Sequence, residues 1–145
     1  MIFRLATAQD VPALLSLAAM AKQTDTPPAD VVFLAEHEAL PVAAVGLELN
    51  REDSVVVSGG IIRPDFYRNR DVVRGLIDCY ERWLTERGCK AYLFSITRRN
   101  RRMQRWMERL GATRYAKDGN RLWYFRVLGE PNVQEEHQRP AAGAY

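Results

Sequence analysis

Seven consecutive residues, Arg68-Asn69-Arg70-Asp71-Val72-Val73-Arg74, put three guanidiniums, an amide and a carboxylate between a β-rich run and an amphipathic helix. Where a strand runs straight into a helix, the first helical N–H groups lack partners and the positive end of the dipole points at the same spot. That spot suits an anion, often a phosphate. A second basic stretch follows: Arg98, Arg99, Arg101, Arg102, Arg105 and Arg109 cluster around Asn100. Such a run reads in three ways. It can be a solvated helix face whose long side chains lie over a core edge. It can attract a polyanion, but no interleaved aromatic residues and no recognisable nucleic-acid module accompany it, which speaks against nucleic acid. It can also be a protein interface, where guanidiniums pair with carboxylates.

Groups suited to acid–base or nucleophilic work are sparse. Glu36 and Glu48 fall in β-rich runs, where carboxylates are usually solvated. His37 sits between two such runs and His137 near the end of the chain, neither with a nucleophile at useful spacing. Cys79 and Cys89 have no metal-ligand spacing and read as reduced packing residues. No metal site is expected.

The elements that must hold these groups are legible from periodicity. After Asp71, a candidate helix cap, the apolar residues Val72, Val73, Leu76, Ile77, Tyr80, Trp83 and Leu84 recur at three and four, the spacing of one helix face. Arg74, Asp78, Glu81, Arg82 and Thr85 make the opposite face. Trp83 is therefore predicted to be largely buried. Before this helix, residues 2–5 read as a short strand, and Asp10 is placed to cap a helix through Met20. Pro27 and Pro28 keep the 24–30 link from being a regular helix of any length. Residues 31–36, 42–49 and 54–63 are β-rich runs, the first two joined by a hairpin turn and the last two by the polar turn 50–53. After Gly88 a strand is predicted over 91–96, a helix over 100–110, and a hairpin of 113–116 with 121–127 around Asp118-Gly119. The order β-α-β-β-β-α-β-α-β-β means a mixed α/β sheet with helices on its faces.

At 145 residues and 47% hydrophobic content, one globular domain is expected. No apolar run approaches the ~20 residues that span a bilayer, so the expected setting is soluble, in the cytoplasm or within an assembled particle, with no membrane partner. Charge is uneven. Residues 129–145 carry Glu130, Glu135 and Glu136 against Arg139, a net of −2, so the formal +3 of the whole chain leaves +5 on residues 1–128. The tail is polar and poor in large apolar side chains. It reads as a segment apart from the domain, able to meet a second copy or another protein through its carboxylates and an arginine-rich helix.

Four segments together resemble the GNAT family of N-acetyltransferases: MIFRLATAQDVPALLSL, FLAEHEALPVAAVGLEL, the stretch around YRNRDVVRGLI, and NRRMQRWMERLGA. The resemblance covers about residues 1–128 and implies a GNAT-like, mostly antiparallel central sheet flanked by helices. It also implies a site for acetyl-CoA, whose pyrophosphate such proteins hold on a glycine-rich loop. Carried onto this chain, the cofactor-binding positions are Arg68, Asn69, Arg70, Asp71, Val72, Val73 and Arg74, with Asn100 opening the later helix. Asn69, Asp71 and Val73 stand where relatives commonly have glycine, and Phe66-Tyr67 adds a residue before the loop. Arg68, Arg70 and Arg74 partly compensate, so acetyl-CoA is expected to bind weakly. Where relatives place a proton-donating tyrosine this chain has Met107, a thioether with no proton to give. Tyr115 or Tyr124 could substitute only if the fold swings one of them in, and a strand tyrosine is more often a half-buried packing residue. The shortened 24–30 link also leaves little room for the helix that walls the acceptor site in relatives. These departures favour a GNAT-fold protein of weak or no catalysis that serves as a structural or assembly subunit. The alternative is an active acetyl-CoA-dependent N-acetyltransferase of a small-molecule or protein amine.

Overall fold

Alternating apolar positions form the strands, and three-and-four spacing forms the helices, in the expected order. In the computed structural model, which describes residues 1–22, 29–49 and 54–129, β1 (Ile2–Leu5) leads to α1 (Val11–Met20). Three strands follow, β2 (Val31–His37), β3 (Leu40–Leu49) and β4 (Val55–Ile62). Then come α2 (Arg70–Glu86), β5 (Ala91–Thr97), α3 (Arg101–Arg109), β6 (Thr113–Asp118) and β7 (Arg121–Val127). Most of the 24–30 link, the 50–53 turn and the acidic tail with His137 lie outside the described residues. The sheet runs β1-β2-β3-β4-β5-β7-β6. Every neighbouring pair is antiparallel except β4 and β5, so the expected mixed, mostly antiparallel sheet forms.

Two local features differ from the sequence reading. The β2–β3 turn is tighter than expected, because Glu38 and Ala39 both take positive φ, 52° and 65°, the two-residue turn whose twist matches that of the strands. β3 therefore starts at Leu40, and Pro41 is tolerated because the register shifts beside it, between Ala35 and Glu36. Trp83 is half-buried rather than buried. It sits at the margin of the α2 stripe, edge-on to Phe33 at 5.6 Å, with the Arg87 guanidinium 3.8 Å above its ring.

α2 and α3 cover one sheet face. Val72, Leu76, Ile77, Tyr80 and Leu84 join Met107 and Leu110 over Phe33, Val42, Tyr92, Phe94 and Tyr124. α1 covers part of the other face, with Leu17 against Leu34 and Ala44. Arg4 ties β1 to the turn before α1, donating to Asp10 at 2.8 Å and to Glu36 at 2.5 Å. The hydrogen bonds from Arg4, with that from the Thr7 backbone N–H, hold the Asp10 carboxyl well below the usual carboxylate range.

α2 approaches β1 closely at Gly75. A Cβ there would stand 2.0–2.4 Å from the Phe3 ring, so the glycine is needed despite its poor helix propensity. Gly75→Ala gains about 1 kcal/mol of propensity but forces that ring from its site. A net loss of about 1–3 kcal/mol is expected by urea unfolding, partly restored when Phe3→Leu is added. A Gly75→Ala variant more stable than wild type would contradict this packing.

Candidate functional site

The one parallel pairing creates the site. β4 and β5 share a single register pair, Val56↔Leu93, and toward their C-terminal ends no further residues pair across them. Two helices start from those ends. β4 passes through the short turn Pro64–Phe66, braced by an Arg63–Asp65 ion pair at 2.7 Å, into α2. β5 passes through Arg98 and Arg99 into α3. A crevice outside the carboxyl ends of parallel strands is where open α/β sheets bind ligands. Here it is a groove of about 860 Å³ between the N-terminal ends of α2 and α3, floored by Ile62.

Seven of the eight positions singled out from the sequence line this groove: Arg68, Asn69, Arg70, Asp71, Val73, Arg74 and Asn100. The eighth, Val72, does not. It points into the core and is fully buried, as its place on the apolar stripe of α2 requires. Asp71 also differs from its expected role. The cap of α2 is Asn69, whose Oδ1 accepts from the backbone N–H of Asp71 at 3.1 Å and of Val72 at 3.3 Å. Asp71 is instead an exposed carboxylate in the first turn. Two of the N–H groups that would meet an anion are thus already engaged by a side chain. Asn100 does the same at α3, accepting from Met103 N–H at 3.2 Å.

The groove's charge comes from both walls. Arg68, Arg70 and Arg74 from the α2 side face Arg102, Arg105 and Arg109 of α3. Sequence reasoning treats the second trio only as part of a basic run. The signal is nevertheless present, since 102, 105 and 109 recur at three and four and must share a helix face. Arg74 also pairs with Asp78 at 3.6 Å. Six guanidiniums, that of Arg74 partly offset by Asp78, against the Asp71 carboxylate make an anion-attracting cleft. Trp106, Met103 and Tyr67 add its apolar and aromatic surface.

Candidate acid–base groups lie elsewhere. Met107 is buried in the core. Tyr124 is fully buried, donates to Glu108 at 3.3 Å, and is pushed up in pKa by burial and by that carboxylate. Tyr115 is exposed on β6 beside Phe125. Glu36 is held by Arg4, and His37 is exposed near Glu38. Glu48 sits near the end of β3, paired with Val56 in register. Tyr67 is the one phenol among the described residues of the groove. Cys79 and Cys89 are free and half-buried, and burial raises the Cys79 thiol. No cluster of metal-ligating residues occurs among the described residues, nor any helix long and apolar enough to cross a membrane.

β4 is irregular in its middle. Gly46 pairs with Gly59 and Leu47 with Val57, which leaves Ser58 as an extra residue without a partner in the β3 ladder, a β-bulge.

The sequence profile of the Acetyltransferase (GNAT) family matches residues 5–112. No curated protein matches the sequence closely enough to count as a relative. Solved structures share the fold at low identity. A probable acetyltransferase from Staphylococcus epidermidis superposes with a TM-score of 0.75 at 13% identity, over 88% of this chain and 99% of that one. The ribosomal-protein-S18-alanine N-acetyltransferase of Escherichia coli gives 0.71 at 15%, over 91% and 97%. The PaiA N-acetyltransferase of Thermoplasma acidophilum, solved in complex with coenzyme A, gives 0.72 at 10%, over 88% and 99%.

Proposed function

From the premise that this chain belongs to the acetyltransferase (GNAT) family, we propose that it is an acetyl-CoA-dependent N-acetyltransferase of low catalytic power that holds its donor mainly through arginine side chains. The observation that carries this reading is the parting of β4 from β5 beside a groove lined by six arginines. The unpaired edges of the two strands offer backbone donors and acceptors to an extended amide-bearing chain such as the pantetheine arm. The guanidiniums suit its phosphates, which they can grip in bidentate fashion.

The fit to that donor is partial. Asn69 must yield the Asp71 and Val72 N–H groups before they can meet a phosphate, and the Asp71 carboxylate repels one. Acetyl-CoA supplies an activated acyl group: the amine nitrogen forms a C–N bond as the C–S bond breaks, and the nitrogen's proton passes to the thiolate or to solvent. What the chain contributes is positioning and a backbone donor at the β4 bulge toward the acyl oxygen. Met107 offers no proton, but a thiolate is a good leaving group, so the missing acid lowers the rate without forbidding transfer.

A second reading is favoured by the self-capped α2 and by Met107: a GNAT-fold subunit without catalysis, joined to a second copy or another protein through the arginines of α3 and the acidic residues 129–145. Calorimetric titration with acetyl-CoA, followed by a search for N-acetylated product, separates the two. Weak, salt-sensitive binding with slow turnover supports the enzyme, and binding without any turnover supports the subunit.

A further inference from the structure

The sheet face away from the arginine groove is only partly covered. α1 packs there over β2, β3 and β4, whereas Leu93 of β5 and Trp123 and Phe125 of β7 are half-buried and join neither core cluster. Alternation settles which side chains share this face: Tyr92, Phe94, Ile96, Leu122 and Tyr124 point into the core under α2 and α3, so Ser95, Thr97, Arg121 and Trp123 point the other way.

A guanidinium is laid across this face. Arg121 Nε donates to Ser95 Oγ at 2.6 Å, and Nη2 reaches the Ser95 carbonyl at 3.5 Å. Asp118 stands opposite Arg121 in the β6–β7 ladder, yet among the described residues no ion pair joins the two. The exposed group is thus carried from β7 over β5 rather than back to β6, and its Nη1 has no acceptor among the described residues. Ser95 borders the place where the strands part. β5 pairs with β7 on one side, Ser95 opposite Trp123, and its other edge meets β4 in the single pair Val56↔Leu93. After Leu93, Ser95 is the next β5 residue on this face, the first beyond that pairing. On the β4 side Gly59 and Gly60 add no side chain to fill the gap. With the donor in the groove on the α2–α3 face, an amine must reach the gap from the other face, past Ser95 and Arg121.

We propose that Arg121, steadied by Ser95, anchors the carboxylate of the acceptor, and that the acceptor is an amino acid whose amine lies close to that carboxylate. The word acceptor and the transfer rest on the transferase reading; the carboxylate site rests on Arg121 and Ser95 alone. A guanidinium edge grips a carboxylate in bidentate fashion, and the half-exposed ring of Trp123 beside it suits an uncharged side chain. A carboxylate held over Ser95 leaves the amine of such a molecule at the gap. Its ammonium gives a proton to solvent, and the neutral nitrogen then forms the C–N bond as the C–S bond breaks, a second proton passing from nitrogen to the thiolate. Diamines lack the carboxylate and bring a further positive charge to the guanidinium, so they are rejected.

The test is an amide NMR titration of the full-length protein with leucine and, in parallel, with leucinamide, which carries a carboxamide in place of the carboxylate. Leucine is expected to shift the signals of Ser95, Thr97, Arg121 and Trp123, and leucinamide to leave them in place. Arg121→Gln alters an exposed side chain and should leave the melting temperature nearly unchanged, but it is expected to weaken leucine binding roughly 10- to 100-fold. The KM for leucine should rise by a similar factor with a smaller change in kcat, and Arg121→Lys should recover part of the loss. Equal shifts from leucinamide, leucine shifts confined to other regions, or unchanged binding in the glutamine variant would each overturn the inference. Leucine seated at Arg121 with no N-acetylleucine formed upholds the site and removes the transferase reading. Acetylation of leucinamide with the Ser95 and Arg121 signals unmoved does the reverse.

Discussion

Glu81→Ala is expected to destabilise the protein by about 2–4 kcal/mol, because it removes one partner of a partly buried ion pair and the acceptor of a buried tyrosine. Glu81 of α2 and Arg126 of β7 meet at 2.8 Å with only 15% of each side chain exposed. The same carboxylate accepts from the Tyr92 hydroxyl at 2.5 Å, which in turn accepts from Tyr80 at 3.3 Å. Arg126 also donates to the Leu110 carbonyl at the end of α3. Truncating Glu81 leaves a guanidinium without its carboxylate and a buried phenol without its acceptor, and so loosens the attachment of α2 and α3 to the sheet. Pairing Glu81→Leu with Arg126→Met should recover most of the loss, because a well-packed apolar pair is often as stable as a buried ionic one. Urea unfolding of wild type, the single variant and the pair checks this, and a single variant within a few tenths of a kcal/mol of wild type would contradict it.

The second large effect is on binding. Arg102→Glu combined with Arg105→Glu should abolish acetyl-CoA binding at millimolar concentrations while leaving the melting temperature nearly unchanged. Both side chains are exposed and lie on the groove face of α3. A hydrogen bond between charged groups contributes about 1.5–3 kcal/mol, and reversal adds repulsion between carboxylate and phosphate. Against a total affinity of roughly 5 kcal/mol, losing two such contacts leaves nothing measurable. Binding equal to wild type would mean that the phosphates lie elsewhere.

The order of elements can be read from the sequence because each carries its own period: the α2 stripe from Val72 to Leu84, the alternation of Tyr92, Phe94 and Ile96. The tight turn at Glu38 and Ala39 cannot, since its residue types do not advertise positive φ. The capping role expected of Asp71 belongs to Asn69 because either side chain can cap and one step in the helix start decides between them. Trp83 falls short of its expected burial because a stripe's margin, unlike its centre, is set by what packs beside it. The groove's first wall is legible in residues 68–74. Its second requires knowing that β4 and β5 part, a tertiary fact that brings Arg102, Arg105 and Arg109 opposite the first three arginines. The β4 bulge at Ser58 is a mismatch between two strands, which no single strand's pattern reveals.

The measurement that bears most directly on the account is calorimetric titration of the full-length protein with acetyl-CoA at low and high salt. Donor binding through exposed arginines, with two of the α2 backbone donors engaged by Asn69, predicts a dissociation constant in the high micromolar range, about 5 kcal/mol of affinity, that weakens further as salt rises. Low-micromolar binding indifferent to salt would contradict it, and so would the absence of any heat at millimolar acetyl-CoA.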